Sequence, residues 1–277
     1  MNTGSMDDLS QFAIHTVTTR PWPIERAIAE YAASDVKGVT VWREALVGHD
    51  AGEIGNRIRD RGMTVASLCR GGFFAADSQA ARRSALDENR RCIDQAAALG
   101  APMVVLVCGA SPGQELEESR RQIEEALFAL VPHAKAAGVK LAVEPLHPMY
   151  ADSRSAINTM GQARAICDRI DSPWLGIAVD VYHTWWDDRL KAEIGLCGRS
   201  SRLFAFHVSD WMTPTCDLLE DRGLMGDGCI PIRKIREWME EAGFRGFNEV
   251  EIFSRRHWAS DQAQFLAAIR TAYIEHV

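Results

Sequence analysis

Four acidic or imidazole side chains stand where short strand-like runs end, most of them apolar. Glu144 closes Val139-Lys140-Leu141-Ala142-Val143, and Asp180 closes Leu175-Gly176-Ile177-Ala178-Val179. His207 follows Arg202-Leu203-Phe204-Ala205-Phe206, and Glu251 ends Phe247-Asn248-Glu249-Val250. Apolar runs of this length suit strands covered on both faces. A carboxylate at the rim of a packed core then needs a cation, a metal or several donors. Three carboxylates and an imidazole converging on one rim repel unless their charge is offset, and the natural agent is one divalent cation with oxygen-rich coordination. Mn²⁺ is the first choice, with Mg²⁺ or Co²⁺ next and Zn²⁺ less suited. Glu249 lies two residues before Glu251 and faces the same way, so it rivals Glu251 for the ligand position; Glu251, nearer the strand end, is preferred.

Convergence requires a scaffold that brings all four strand ends to one face. The rest of the chain supplies the rhythm: further strands are expected at Phe12 to Val17, Gly38 to Trp42, Met63 to Leu68 and Pro102 to Val107. Helical stretches separate nearly all the strands. They include Ala51 to Asp60, Ser78 to Leu99 and Glu115 to Ala137, the last two stopped by Gly100 and Gly138. Pro145, directly after Glu144, ends the fifth strand and opens a loop. Eight strand–helix units predict parallel strands, right-handed crossovers and closure into a (β/α)8 TIM barrel of the α/β class, with active-site residues at the carboxyl ends of the strands. A doubly wound open sheet would carry a glycine-rich turn after an early strand, and Thr16 to Trp22 has no glycine. No linker or low-complexity stretch interrupts the pattern. The expected organisation is a flexible tail over residues 1–10 and one barrel domain over residues 11–277.

A net charge of −7, with Lys and Arg scattered along the 277 residues, argues against nucleic acid and anionic membrane as partners. The seven cysteines form no Cys-x-x-Cys pair and are odd in number, as expected for reduced thiols in a cytoplasmic protein. The start of the sequence has neither a basic region nor an apolar one, and no apolar run is long enough to span a bilayer.

The motifs Val143-Glu144-Pro145, Val179-Asp180-Val181-Tyr182-His183, Phe206-His207-Val208-Ser209-Asp210, Arg222 ahead of Gly226-Asp227-Gly228, and Val250-Glu251-Ile252-Phe253 together resemble the sugar isomerase/epimerase barrels related to xylose isomerase. That family also includes ketose 3-epimerases and inositol-pathway enzymes. The first half of the chain matches only by its rhythm. The resemblance implies Glu144, Asp180, His207 and Glu251 as metal ligands, and His183 and Arg222 as substrate contacts. A related branch, the metal-dependent AP endonucleases, uses more histidines; here only His147, His183 and His207 are placed for such a cluster, and the charge is wrong for DNA.

The implied reaction acts on a sugar or cyclitol ketone. The cation polarises the carbonyl, one of Glu144 and Glu251 removes the adjacent proton, and the other returns one through an enediolate, giving epimerisation or aldose–ketose isomerisation. Two alternatives share the scaffold: a lyase that dehydrates an inosose-like ketone or cleaves a 3-oxo-glycoside, and a sugar-binding barrel without chemistry. Assembly as a homo-oligomer, dimer or tetramer, is compatible with each. His15, Trp42, Arg43, Cys69, Arg70 and Cys108 end or follow the first four strands and are expected to line the pocket. Trp185, Trp186 and Trp211 either stack on a sugar or pack under loops. The glycines of Gly226-Asp227-Gly228 are expected to permit close approach to ligand. The lack of a glycine-rich phosphate grip favours an unphosphorylated substrate.

Overall fold

Parity along each strand decides the architecture. In a strand, successive side chains point to opposite faces, and here one set meets helices while the other fills the middle of the sheet. In the computed structural model, which describes residues 8–277, the strands are β1 (Phe12–His15), β2 (Gly38–Trp42), β3 (Thr64–Gly72), β4 (Met103–Val107), β5 (Lys140–Val143), β6 (Leu175–Asp180), β7 (Leu203–Val208) and β8 (Asn248–Val250). Each pairs in parallel with its sequence neighbours, and β8 pairs with β1 to close the barrel. The main crossover helices are α1 (Ile24–Ala33), α2 (Ala51–Asp60), α3 (Gln79–Leu99), α4 (Leu116–Ala137), α5 (Met160–Ile170), α6 (Leu190–Arg199), α7 (Ile232–Glu241) and α8 (Gln262–His276). The expected eight-fold barrel is the observed one.

The outward set, including Val104, Leu106, Leu141, Val143, Ile177, Val179, Phe206 and Val208, joins the large core beneath the helices. The inward set is smaller: Cys69, Val105, Ala142, Ala178 and Ala205 form a separate buried layer. Three alanines on consecutive strands leave room above them, and the residues two positions on are Glu144, Asp180 and His207.

Helix ends follow the sequence signals. Ser78 Oγ accepts from Ala81 N at the start of α3, and Gly100 and Gly138 end α3 and α4 in the left-handed region at φ 79° and 71°. One boundary differs in a way that matters: β3 runs on from Leu68 to Gly72 across a register shift against β4. The extension carries Arg70 to the mouth as part of the sheet. Residues 1–7 of the expected tail lie outside the described residues, and Leu9 is buried in the core. No helix among the described residues is long and apolar enough to cross a membrane.

Candidate metal centre and its cavity

Asp180 is the last residue of β6 and also caps the helical turn Val181–Thr184 that follows. Its Oδ1 accepts from Tyr182 N at 2.8 Å, and Thr184 Oγ1 donates to its carbonyl at 2.7 Å. The cap fixes the carboxylate and places His183 three residues on, above it. Glu144 follows β5, His207 is the fifth residue of β7, and Glu251 follows β8. One ligand atom from each of Glu144, Asp180, His207 and Glu251 lies within 4.8 Å of the others, and all four residues are buried.

The hydrogen bonds around them form two linked sets. Arg222 Nη1 donates to Asp180 Oδ2 and to Glu251 Oε2, both at 2.9 Å, and its Nη2 lies 3.1 Å from His183 Nε2. On the other side, His207 Nδ1 meets Glu144 Oε1 at 2.9 Å, and His15 Nδ1 meets Glu251 Oε1 at 2.9 Å. Glu249 sits one inward position below Glu251, between Thr40 Oγ1, which donates to it, and His15 Nε2 at 3.4 Å.

The electrostatics follow from burial and neighbours. Burial raises Asp180 to about 7, with Arg222 opposing and Glu251 and Glu144 adding to the rise. Glu251 goes the other way: against the burial cost, the charges of His15 and Arg222 hold it well below the usual carboxylate range. Burial disfavours the His15 cation, but Glu251 and Glu249 overcome it and lift His15 to about 9. An imidazolium donates to Glu251 from Nδ1, so Trp42 Nε1, 3.1 Å from the same nitrogen, gains no hydrogen bond there. Burial and then the Arg222 charge push His183 well below its ordinary value. Neutral His183 therefore accepts from Arg222 at Nε2 and carries its proton on Nδ1; its 3.6 Å approach to Asp180 is a polar contact rather than an ion pair.

The donor set fits a divalent cation. Four buried carboxylates, Glu144, Asp180, Glu249 and Glu251, face the Arg222 guanidinium and the His15 imidazolium, and His207 Nε2 is buried without a hydrogen-bond partner. Hard oxygen donors with one imidazole are ligands that Mn²⁺, Mg²⁺ or Zn²⁺ accept.

A cavity of about 580 Å³ opens above the cluster, lined by Glu144, Glu251, His183, Arg222, Trp42 and Arg70 of the expected residues. His15, Cys69 and Cys108 do not line it. His15 stands behind Glu251, and Cys69 lies in the alanine layer. Cys108 has the outward parity of Val104 and Leu106 and is buried under the helices, where burial drives its thiol pKa far upward. Position at a strand end placed it near the mouth; parity turned it away. Arg43 also points elsewhere, to Glu88 and Gln95 on α3. Trp211 packs against His147, Tyr182 and Trp185, under the loops.

Arg222 arrives on an unexpected element. The segment from Ser209 to Gly228, which shows no strand or helix pattern in the sequence, contains a two-stranded antiparallel ribbon, Asp210–Trp211 against Arg222–Gly223. Buried Asp210 is its hub, accepting from Trp211 N, Gly226 N and Ile230 N at 2.8 to 2.9 Å. The close approach expected at Gly226 and Gly228 is to protein rather than to the cavity. A Cβ at Gly226 would meet the His276 ring at 2.5 Å, and one at Gly228 would meet Trp211 O at 2.1 Å. The hub was within reach of sequence reading, since Asp210 belongs to the motif that carries His207.

Comparison with known proteins places this geometry. An inosose isomerase of Halalkalibacterium halodurans is 29% identical over 209 residues, 72% of this chain and 69% of that protein. A structure of a protein from Sinorhizobium meliloti 1021 superposes with a TM-score of 0.93 at 41% identity, covering 97% of this chain and 98% of the other. A structure of an IolI protein with a bound zinc atom shares the fold at 18% identity, with a TM-score of 0.83 over 96% of this chain and 97% of that one. The sequence profile described as xylose isomerase-like TIM barrel matches residues 28–269, and the chain belongs to that family.

Proposed function

We propose that the protein is a divalent-metal-dependent isomerase or epimerase of a sugar or cyclitol ketone. The reading rests on one arrangement: Glu144 and Glu251 line the same cavity, and their ligand atoms lie within 4.8 Å of those of Asp180 and His207. A cation held by these four residues, Mn²⁺ by first choice, supplies Lewis acidity that polarises the substrate carbonyl and acidifies the neighbouring C–H.

The protein's own groups do the rest. Glu144 reaches in from the end of β5 and Glu251 from the end of β8, with β6 and β7 between them. A ketone lying across the rim of β6 and β7 is faced by a carboxylate on either side. Glu251 is held ionised by His15 and Arg222, the protonation state that a base requires. Return of a proton from the opposite face inverts the carbon; return to the neighbouring carbon exchanges aldose and ketose. His183 Nδ1, buried without a partner on a residue lining the cavity, is a donor for a substrate hydroxyl. Arg222 fixes Asp180 and Glu251 and adds positive charge where negative charge develops.

The test is turnover of ketoses and inososes in deuterated water with Mn²⁺ and with chelator. Solvent deuterium should enter the carbon beside the carbonyl only when metal is present. Turnover without such exchange, or with release of water or an aglycone, would replace this reading with a hydride-shift or lyase mechanism. The name inosose isomerase of the 29% identical relative supports a cyclitol ketone as the first substrate to try.

A further inference from the structure

The cavity wall carries more positive charge than the carboxylate cluster uses. Of its arginines, Arg222 is taken by Asp180 and Glu251, and Arg20 faces Glu220 at 4.0 Å. Arg70 and Arg154 are different: among the described residues neither has a side-chain hydrogen bond or a carboxylate oxygen within 4.0 Å. In a chain of net charge −7, two partly buried guanidiniums left without partners in one cavity are a departure that calls for a cause.

Both are held in place by contacts that leave their N–H groups free. The Arg70 guanidinium lies over the Trp42 ring at 5.8 Å and the Phe73 ring at 4.6 Å, and Arg154 lies over Tyr150 at 5.6 Å. Stacking on aromatic faces orients the planar fork and leaves its donor edge open. Their backbones are fixed as well. Arg70 belongs to β3, and the Arg154 carbonyl accepts from Gly109 N just past β4. The Arg70 guanidinium lies within electrostatic reach of Glu44 and Arg154, although it forms an ion pair with neither.

Topology puts this pair on the β3–β5 side of the mouth, while the carboxylate cluster spans β5 to β8. Building on the isomerase or epimerase reading, we infer that the substrate carries an oxyanion group, a carboxylate or a phosphate monoester, which Arg70 and Arg154 receive while its ketone lies at the cluster. Arginine forks match both oxyanions, each through paired N–H···O contacts. The class is thus a sugar or cyclitol ketone that also bears a carboxylate or a phosphate ester.

Calorimetric titration of the Mn²⁺-loaded protein with malonate and with inorganic phosphate tests the anion site apart from catalysis. At least one probe should bind, and Arg70→Met and Arg154→Met should each weaken it about 10- to 100-fold, the effect of losing a hydrogen bond to a charged group. Arg70→Lys, which keeps the charge and loses the fork, guards against misfolding and should fall between. Malonate preference points to a carboxylate, phosphate preference to a phosphate ester. Absence of binding by both probes, or binding that the variants leave unchanged, overturns the inference. The two readings fail separately. Neutral ketones that exchange solvent deuterium on a protein with no anion affinity would remove the anion site and leave the isomerase. Anion binding without exchange on any ketone would do the reverse.

Discussion

Each buried ionisable side chain in the centre is held by a named neighbour, so single substitutions have separable effects. Glu144→Gln and Glu251→Gln should each lower kcat about 10²- to 10⁴-fold, as loss of a positioned proton-transfer group does, measured by deuterium wash-in at saturating metal. Arg222→Met removes the guanidinium shared by Asp180 and Glu251. Breaking a buried pair in this way typically costs about 3–5 kcal/mol, and urea denaturation in the presence of chelator should show a loss of that order. Sequence reading brought Glu144, Asp180, His207 and Glu251 to one rim because each stands at the end of a strand-like run, largely apolar before the first three. It misjudged Cys108, where an equally apolar run ends on the outward parity. The sharper signal was the alternation itself: Ala142, Ala178 and Ala205 each stand two residues before a polar partner, whereas Leu106 stands two before Cys108.

At the level of elements, the centre depends on a floor of small residues and a tethered ribbon. Ala178→Leu would force extra methylenes into the layer of Cys69, Val105, Ala142 and Ala205. Overpacking of this kind costs about 1–3 kcal/mol, which should appear as a lowered melting temperature, with metal affinity reduced as Asp180 is displaced. Asp210→Ala would strip three backbone N–H groups of their acceptor. At about 1.5–3 kcal/mol for a hydrogen bond to a charged group, the ribbon should loosen, and residues 212–221 should become the first site of limited proteolysis while KM rises. Neither the ribbon nor the continuation of β3 to Gly72 was legible beforehand. Both depend on pairing with distant backbone, Arg222 N to Phe253 O and Gly72 against Val107, and local pattern does not encode it.

Across the whole molecule, the eight-fold rhythm was legible because glycines stop the helices and apolar runs recur at regular distance, and the barrel followed from count alone. The same dense core sets an alkaline limit. Burial pushes Cys92 up to about 11, and Cys167, Cys197, Tyr182 and Tyr273 to about 12. These folded values exceed the reference values of 9.0 for thiols and 10.0 for phenols, so the protonated forms favour the fold. Their contribution is complete below pH 9 and drains as pH rises through 11 to 12. For Cys92 alone the difference is on the order of 3 kcal/mol. Melting temperature from these groups should be level from pH 7 to 9 and then fall by about 10 °C or more by pH 11, a trend that circular dichroism would follow.

The closed ring of strands also divides the mouth by origin. The proposed proton-transfer and ligand groups come from β5 to β8, whereas Trp42 and Arg70 of the cavity wall come from β2 and β3. The first half of the polypeptide thereby supplies part of the cavity wall but none of the four candidate ligands, and it meets the second half along the seams β1–β8 and β4–β5. An exchange of the first half between two such barrels would change the wall that Trp42 and Arg70 supply, while Arg154, His183 and the four candidate ligands stayed with the second half.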